Sequence, residues 1–170
     1  MIRKAHYTDL PDIMTLTSAA KALMYQDGNP QWDEYYPVSK HFEQDIHSES
    51  LFVLEDENHT IQGFIVIDAI MPEWYNTLEW PIQYDTHSLV IHRLVASQQY
   101  PGIAKKLMTF AFEQARAHDS KYLLTDTFSL NQRAQKLFTK YNFIKVGEMT
   151  SETFPFDKGA PFYAYYKKLD

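Results

Sequence analysis

The short loop at residues 99–106 is the stretch of this chain best suited to bind a charged group. It contains Gly102, and an amphipathic segment follows it directly. A helix that begins in such a loop presents unpaired backbone N–H groups and the positive end of its dipole. Both features favour phosphate, so we expect a phosphorylated ligand at this loop.

Two regular elements must position that loop. Before it, residues 89–96 hold only His92 and Arg93 as strongly polar residues, a pattern typical of a strand buried on both faces. After it, apolar residues recur at helical spacing, at Ala104, Leu107, Met108, Ala111, Phe112 and Ala115. The stretch therefore predicts a strand, a tight loop and a helix.

The remaining periodic segments predict an α/β architecture. Further strands are expected at residues 2–5, 50–54, 61–67, 121–128, 143–150 and 161–166. Further helices are expected at residues 9–25, 40–47 and 131–141. This order favours one mixed sheet of about six to seven strands with helices on both faces. Residues 71–86 indicate an aromatic, proline-broken excursion between strands.

Length and composition limit the class of protein. A chain of 170 residues predicts a single domain spanning residues 1–170. The net charge of −6 argues against nucleic acid as a partner. No segment approaches the ~18 apolar residues of a membrane span, and no apolar leader stands at the N-terminus. We therefore expect no membrane partner and a cytoplasmic location.

Several kinds of chemistry are excluded. The chain has no cysteine, so it can form neither a disulfide nor a thiolate nucleophile. His87 and His92 are an odd number of residues apart, so in an extended stretch their side chains should point to opposite faces. The HExxH and GxSxG motifs are missing. We expect no metal site.

At this point the chain resembles a known family, the GNAT acyltransferases. Their pyrophosphate-binding loop, Q/R-x-x-G-x-G/A, is similar to Gln99-Tyr100-Pro101-Gly102-Ile103-Ala104. Residues 131–138 are similar to the family's Asn-x-x-Ala-x-x-Leu-Tyr helix, and Phe143 with Val146-Gly147 to its closing strand. These parts cover most of the chain. Their order along it is more specific for the family than any single part. The resemblance implies a GNAT-like sheet whose central strands splay apart.

The resemblance also implies acetyl-coenzyme A as the acyl donor. Its pyrophosphate would lie on the backbone amides of residues 99–106, which include Lys105. The pantetheine arm would lie in the splay, paired like an added strand with the backbone of Leu94, Val95 and Ala96. Asn131 and Phe138, on the helix that resembles the family's, would line the same arm.

Proton transfer departs from the family pattern. The resembled helix usually carries a Tyr as general acid, but Phe138 stands at that position. A primary ammonium near pH 7.4 is deprotonated about one part in a thousand, roughly 4 kcal/mol of barrier, so a base is needed. His92 is the leading base, directly or through water, with a buried core histidine as the alternative. Tyr141 and Tyr163 are the substitute acids.

An aromatic and acidic segment provides the expected acceptor site. Gln31, Trp32 and Tyr36 resemble a loop that walls the acceptor side in small GNAT proteins, and Trp74 belongs to the excursion near it. Ring faces favour a cationic amine by about 0.5–2 kcal/mol where the contact is partly desolvated. We therefore expect polyamines or amino-acid-like amines as acceptors. The alternative is that Trp32 and Tyr36 only cap the core.

Two functions remain open at the level of sequence. The first is an N-acetyltransferase that moves acetyl from acetyl-coenzyme A to a primary amine of a small molecule. The second is a non-catalytic acyl-coenzyme A-binding regulatory or sensor module, which the missing Tyr at position 138 keeps open. The sequence names neither the amine nor the oligomeric state, and a homodimer stays open.

Overall fold

A seven-stranded mixed sheet organises the computed structural model, which describes residues 1–170. In chain order the strands β1 to β7 are Ile2–Lys4, Leu51–Glu55, Ile61–Asp68, Ser88–Ala96, Tyr122–Phe128, Ile144–Met149 and Phe162–Lys168. The helices α1 to α4 are Leu10–Gln26, Ser39–His47, Ile103–Ala117 and Gln132–Lys140. The strands lie in the order β1-β2-β3-β4-β5-β7-β6. The predicted fold class is confirmed.

Helices cover both faces of this sheet. Helix α3 packs its apolar stripe on one face, where Leu107, Met108, Ala111 and Ala115 are fully buried against β3, β4 and β5. Phe138 of α4 joins that layer. Helices α1 and α2 cover the opposite face, where Phe42 contacts Phe64 of β3 edge to face. None of the helices is long and apolar enough to cross a membrane.

The two central strands separate halfway along their length. β4 and β5 form the sheet's parallel pair, but their register runs only from Ser88↔Tyr122 to Ile91↔Thr125. At the last pair the Thr125 hydroxyl donates to the Ile91 carbonyl oxygen at 2.9 Å. Beyond it, β4 has no strand on its β5 side. The predicted splay is confirmed.

A β-bulge lies where the strands separate. Val66 of β3 faces Arg93, but Ile67 faces Ile91, so His92 is the extra residue of β4. A bulge of this kind bends a strand and redirects its side chains. Here it brings Arg93 to the α1 and α2 face and leaves Ile91 on the α3 face.

The excursion between β3 and β4 folds as an aromatic cluster. Its regular part is a short 3₁₀ helix, Glu73–Thr77, which buries Tyr75 completely. Trp74 packs edge-on against Tyr75, and Trp80 stacks on Tyr84 at 4.7 Å between ring centroids. Tyr75 lies against Val90, Leu124 and Ala164 of the sheet. The cluster thus braces the sheet beside the paired half of β4 and β5.

Candidate active site

The splay opens into a cleft of about 650 Å³. Its walls are α1, the loop at residues 27–32, the free halves of β4 and β5, and the start of α4. Half of its lining residues are hydrophobic, and the polar groups lie mainly at its inner end and at its mouth. A long, narrow molecule with an apolar middle and charged or polar ends would suit such a space.

The inner wall of the cleft is the free edge of β4. The side chains of Leu94 and Ala96 pack on the α3 layer, and that of Val95 packs on the α1 layer. The side chains are thus engaged in the core. The backbone on the β5 side is left as an open strand edge, the feature that accepts an added extended chain.

The mouth of the cleft is formed by the predicted phosphate loop. Gln99 and Ala104 line it, and Gly102 caps α3 with a left-handed φ of 85°. The N–H groups of the first turn of α3 have no partner within the helix. Ile103 is buried beneath the loop, its Cγ2 against Gly63, so it can offer a ligand only its backbone.

Of the loop at residues 99–106, only Gln99 and Ala104 line the cleft. Tyr100 is about half exposed, and Pro101 and Lys105 are exposed as well. Any contact of theirs with a ligand would therefore be made at the protein surface. The fit of the loop to a pyrophosphate rests on the backbone amides and the helix dipole.

The sequence analysis predicted that Asn131 lines the pantetheine arm and that Gln31 belongs to the acceptor site. In the structure the two side chains are hydrogen-bonded to each other. Asn131 is the N-cap of α4, and its Oδ1 accepts from the Ala134 backbone N–H at 3.1 Å. Its Nδ2 donates to Gln31 Oε1 at 2.7 Å. Gln31 Oε1 also accepts from the Thr127 hydroxyl at 3.3 Å. Both residues line the cleft.

His92 lies at the inner end of the cleft, paired with a carboxylate. Its Nε2 is 2.7 Å from Asp68 Oδ1. Burial would raise the pKa of Asp68, but the bond to His92 and a backbone N–H from Ile70 outweigh it and hold that pKa below 3.8. An ionised carboxylate only accepts, so Nε2 carries the proton and Nδ1 is the free acceptor of the neutral ring.

Arg93 links the cleft to the acceptor-side loop. Its Nη1 donates to the Tyr36 hydroxyl at 2.6 Å, and its Nη2 pairs with Asp45 of α2. Burial raises the pKa of Asp45, and the Arg93 charge partly opposes that rise. Tyr36 itself does not line the cleft, and its ring packs against His41 and Phe154.

A second carboxylate lies near His92, one residue beyond the last β4–β5 pair. Asp126 lines the cleft and accepts from the fully buried Tyr75 hydroxyl at 2.6 Å. Burial raises the pKa of Asp126, although Tyr75 and the nearby His92 oppose the shift. In the sequence, Asp126 is a carboxylate inside an otherwise apolar strand and a possible base, although a structural role in tying down backbone was favoured for it. Asp68 and Tyr75 were not predicted to belong to the site.

The remaining predicted residues divide between the cleft and other surfaces. Trp32 lines the cleft and is buried in the α1 layer. Phe138 lines it too and packs on Phe143 and Tyr165. Three lie elsewhere: Trp74 in the aromatic cluster, Tyr163 beneath the Lys145 ammonium, and Tyr141 in a separate depression between the ends of α3 and α4.

No three His, Cys, Asp or Glu side chains are grouped so that they could hold a metal ion.

The fold and cleft agree with a family assignment. The family model for the acetyltransferase (GNAT) family matches residues 18–143. The chain belongs to this family of acetyltransferases, for which acetyl-coenzyme A is the acyl donor. A search of curated proteins gave no significant match.

Solved structures support the same conclusion. A Staphylococcus aureus Mu50 protein of proposed acetyltransferase function is 40% identical, with a TM-score of 0.77 and coverage of 100% of this chain and 99% of that one. A GNAT-family acetyltransferase from Streptococcus agalactiae shares the fold at 22% identity and a TM-score of 0.84, covering 100% and 95%. A Salmonella typhimurium protein, solved with its cofactor acetyl-CoA, shares it at 14% identity and 0.69, covering 100% and 94%.

Proposed function

We propose that this protein is an N-acetyltransferase that moves an acetyl group from acetyl-coenzyme A to a primary amine of a small molecule. The observation that carries the proposal is the His92–Asp68 pair at the inner end of the cleft. An imidazole held by an ionised carboxylate is suited to take a proton from an ammonium group. It lies where the free edge of β4 begins, which is where the thioester end of a bound arm would arrive.

The residues of the cleft divide the work. His92 Nδ1 takes the proton of the acceptor ammonium, and Asp68 stabilises the imidazolium that forms. The amine nitrogen then attacks the thioester carbonyl carbon, a C–N bond forms, and the C–S bond breaks with its electron pair on sulfur. The nitrogen gives up its second proton to the departing thiolate or to solvent, which leaves a neutral amide. A thiol titrates near ~8.5, so coenzyme A can leave as thiolate near neutral pH without a tyrosine at position 138.

The charge of the inner end favours a cationic acceptor. Asp45 is paired with Arg93, and Asp68 is paired with His92. Asp126 has only the Tyr75 hydroxyl as a hydrogen-bond partner and no cation bonded to it. An acceptor with a second positive group would fill that gap. This argument from charge replaces the earlier one from aromatic ring faces, because Trp74 and Tyr36 do not line the cleft.

A second candidate function rests on Phe138. The family's hydroxyl is missing there, and the ring is buried among Phe143 and Tyr165. A module that binds acetyl-coenzyme A without turnover would need no acid at this position. This candidate predicts binding without chemistry.

One experiment separates the two. The protein is incubated with acetyl-coenzyme A and a pooled amine library, and free thiol and acetylated products are followed by mass spectrometry. Release of thiol that depends on both the amine and His92 supports the enzyme. Tight binding of acetyl-coenzyme A with no acetylated amine from any pool favours the sensor.

A further inference from the structure

The side-chain amide of Gln31 is held in one orientation by helix α4. The N-cap of α4 fixes Asn131, because its Oδ1 must face the Ala134 N–H to cap the helix. Asn131 therefore presents Nδ2, a donor, to Gln31, at 2.7 Å. Gln31 can meet a donor only with its oxygen. The orientation of one amide thus determines that of the other.

The consequence is a donor without a partner in the cleft. Gln31 Nε2 makes no hydrogen bond to the protein, while Oε1 accepts from both Asn131 and Thr127. Gln31 lines the cleft and is only partly buried, so Nε2 has room for a ligand atom. A free N–H₂ group in a largely apolar cleft favours a carbonyl or another acceptor.

The backbone of Gln31 is fixed as well. Its N–H donates to Asn29 Oδ1 at 3.1 Å, and Asn29 is almost completely buried. The next residue, Trp32, is anchored in the α1 layer. The donor is thus positioned before any ligand binds, which lowers the entropy cost of the contact.

The place of this donor along the cleft is set by Thr127. That residue lies two positions beyond Thr125, the last residue of β5 paired with β4. Continuing the parallel register would place Thr127 level with Arg93, and so the Gln31 amide nearer to that part of the free edge of β4 than to the mouth at Gln99. An extended arm bound along that edge carries carbonyl oxygens in this part of the cleft.

We propose that Gln31 Nε2 donates a hydrogen bond to a carbonyl oxygen of bound acyl-coenzyme A. Gln31 would then bind the acyl donor and not the acceptor. The inference rests on the proposed binding of acetyl-coenzyme A. It does not depend on His92 as base or on the identity of the amine.

Binding of coenzyme A and of acetyl-coenzyme A by calorimetry tests the contact directly. Gln31→Met removes the donor with little change in size, and Gln31→Glu keeps the oxygens that Asn131 and Thr127 bond. Each should weaken acetyl-coenzyme A binding, or lower kcat at saturation, by about five- to tenfold. Equal loss for both ligands assigns a pantetheine carbonyl, and loss confined to acetyl-coenzyme A or to kcat assigns the thioester carbonyl.

A second variant reverses the amide without touching position 31. Asn131→Asp keeps the cap, since Asp and Asn cap helices about equally well. Its second carboxylate oxygen should draw Gln31 Nε2 toward itself and turn Oε1 into the cleft. The affinity for acetyl-coenzyme A should fall as far as in Gln31→Met.

The double variant controls for the added charge. In Gln31→Met, the further change Asn131→Asp should cost little, because there is no amide left to turn. An equal loss in both backgrounds would mean simple charge repulsion and would overturn the proposal. So would wild-type affinity and kcat in Gln31→Met. If no coenzyme A binds the wild type, the proposed function itself fails, and that result is distinguishable from the others.

Discussion

His92 and Asp68 connect neighbouring strands at the β-bulge, with Nε2 and Oδ1 2.7 Å apart. The bulge residue is therefore not free to rotate, and the carboxylate determines which ring nitrogen can accept a proton. This arrangement gives the base proposed here a defined tautomer.

The first prediction follows from that pair. His92→Gln should lower kcat/KM by about 10²–10⁴-fold and remove the acid limb of the pH–rate profile. Asp68→Asn should cause a smaller loss, since the ring stays but its orientation is less well held. Steady-state kinetics across pH, with acetyl-coenzyme A affinity measured alongside, give the readout. An unchanged pH profile in His92→Gln would place the base elsewhere.

The second prediction concerns the phosphate loop. Gly102→Val should weaken coenzyme A binding about tenfold or more, whereas Gln99→Ala should have less than about a threefold effect. A Cβ at Gly102 meets nothing within 4 Å, so the effect would come from backbone strain at φ 85°. The strain would be relieved by turning the amides that face the phosphate.

A matched control for that variant exists in the chain. Gly159 also has a positive φ, 76°, and open space around its Cβ position, but it lies in the loop between β6 and β7 and not at the start of α3. Gly159→Val should therefore cost similar stability in thermal unfolding and leave the calorimetric affinity for coenzyme A unchanged. Equal affinity of wild type and Gly102→Val would contradict the phosphate assignment.

The third prediction concerns the charge of the acceptor. An alkyl diamine should be acetylated with a higher kcat/KM than the amino acid in which a carboxylate replaces the second amine. Asp126→Asn should reduce that preference about ten- to a hundredfold, the range for a charged hydrogen bond. Competition assays with the two acceptors measure the ratio directly. If the wild type prefers the anionic acceptor, the prediction of a positively charged acceptor is wrong.

Local and distant features of the site were not equally predictable. The strand before the loop and helix α3 follow from periodicity, which neighbouring residues encode. The bond between Gln31 and Asn131 joins residues 100 positions apart, and the bond between Tyr75 and Asp126 spans 51. No spacing in the sequence encodes such pairs. Hence the loop and the elements on either side of it could be predicted from neighbouring residues, while the partners of His92 and Asn131 were found only in the structure.

The aromatic acceptor site shows the same limit. Trp74 was a candidate from the sequence, but its ring packs on Tyr75, and the Trp80 ring packs on Tyr75 as well. Aromatic side chains bury large apolar areas, and several of them close together can bury that surface by packing on their aromatic neighbours. The sequence alone does not show whether a tryptophan binds an acceptor or packs in an aromatic cluster.

The fourth prediction concerns stability. Asp9 accepts two bonds from the Arg3 guanidinium, at 2.8 and 3.0 Å, and one from the His6 N–H at 2.7 Å. The Arg3 bonds hold the pKa of Asp9 below its ordinary value of 3.8, although burial opposes the shift. Asp9→Asn should therefore lower the free energy of unfolding at pH 7 by about 1–3 kcal/mol.

The pH dependence of that loss gives its test. A folded-state pKa below the unfolded one stabilises the protein above about pH 4, and the contribution disappears as pH falls through the folded value. Urea unfolding of wild type and Asp9→Asn should therefore converge as pH drops below about 4. The exposed Asp12 offers the control, because Asp12→Asn should show no comparable difference at either pH.

The extra residue in β4 places the proposed base outside the ladder. Val66 faces Arg93 only because His92 is skipped in the pairing. Ile91 and Arg93 face neighbouring residues of β3, so deleting His92 would restore plain alternation and leave the later side chains of the strand on their present faces. The sheet could therefore form without the bulge, and the loss would fall on the imidazole beside Asp68. We expect the bulge to be kept among functional relatives for the site and not for the sheet.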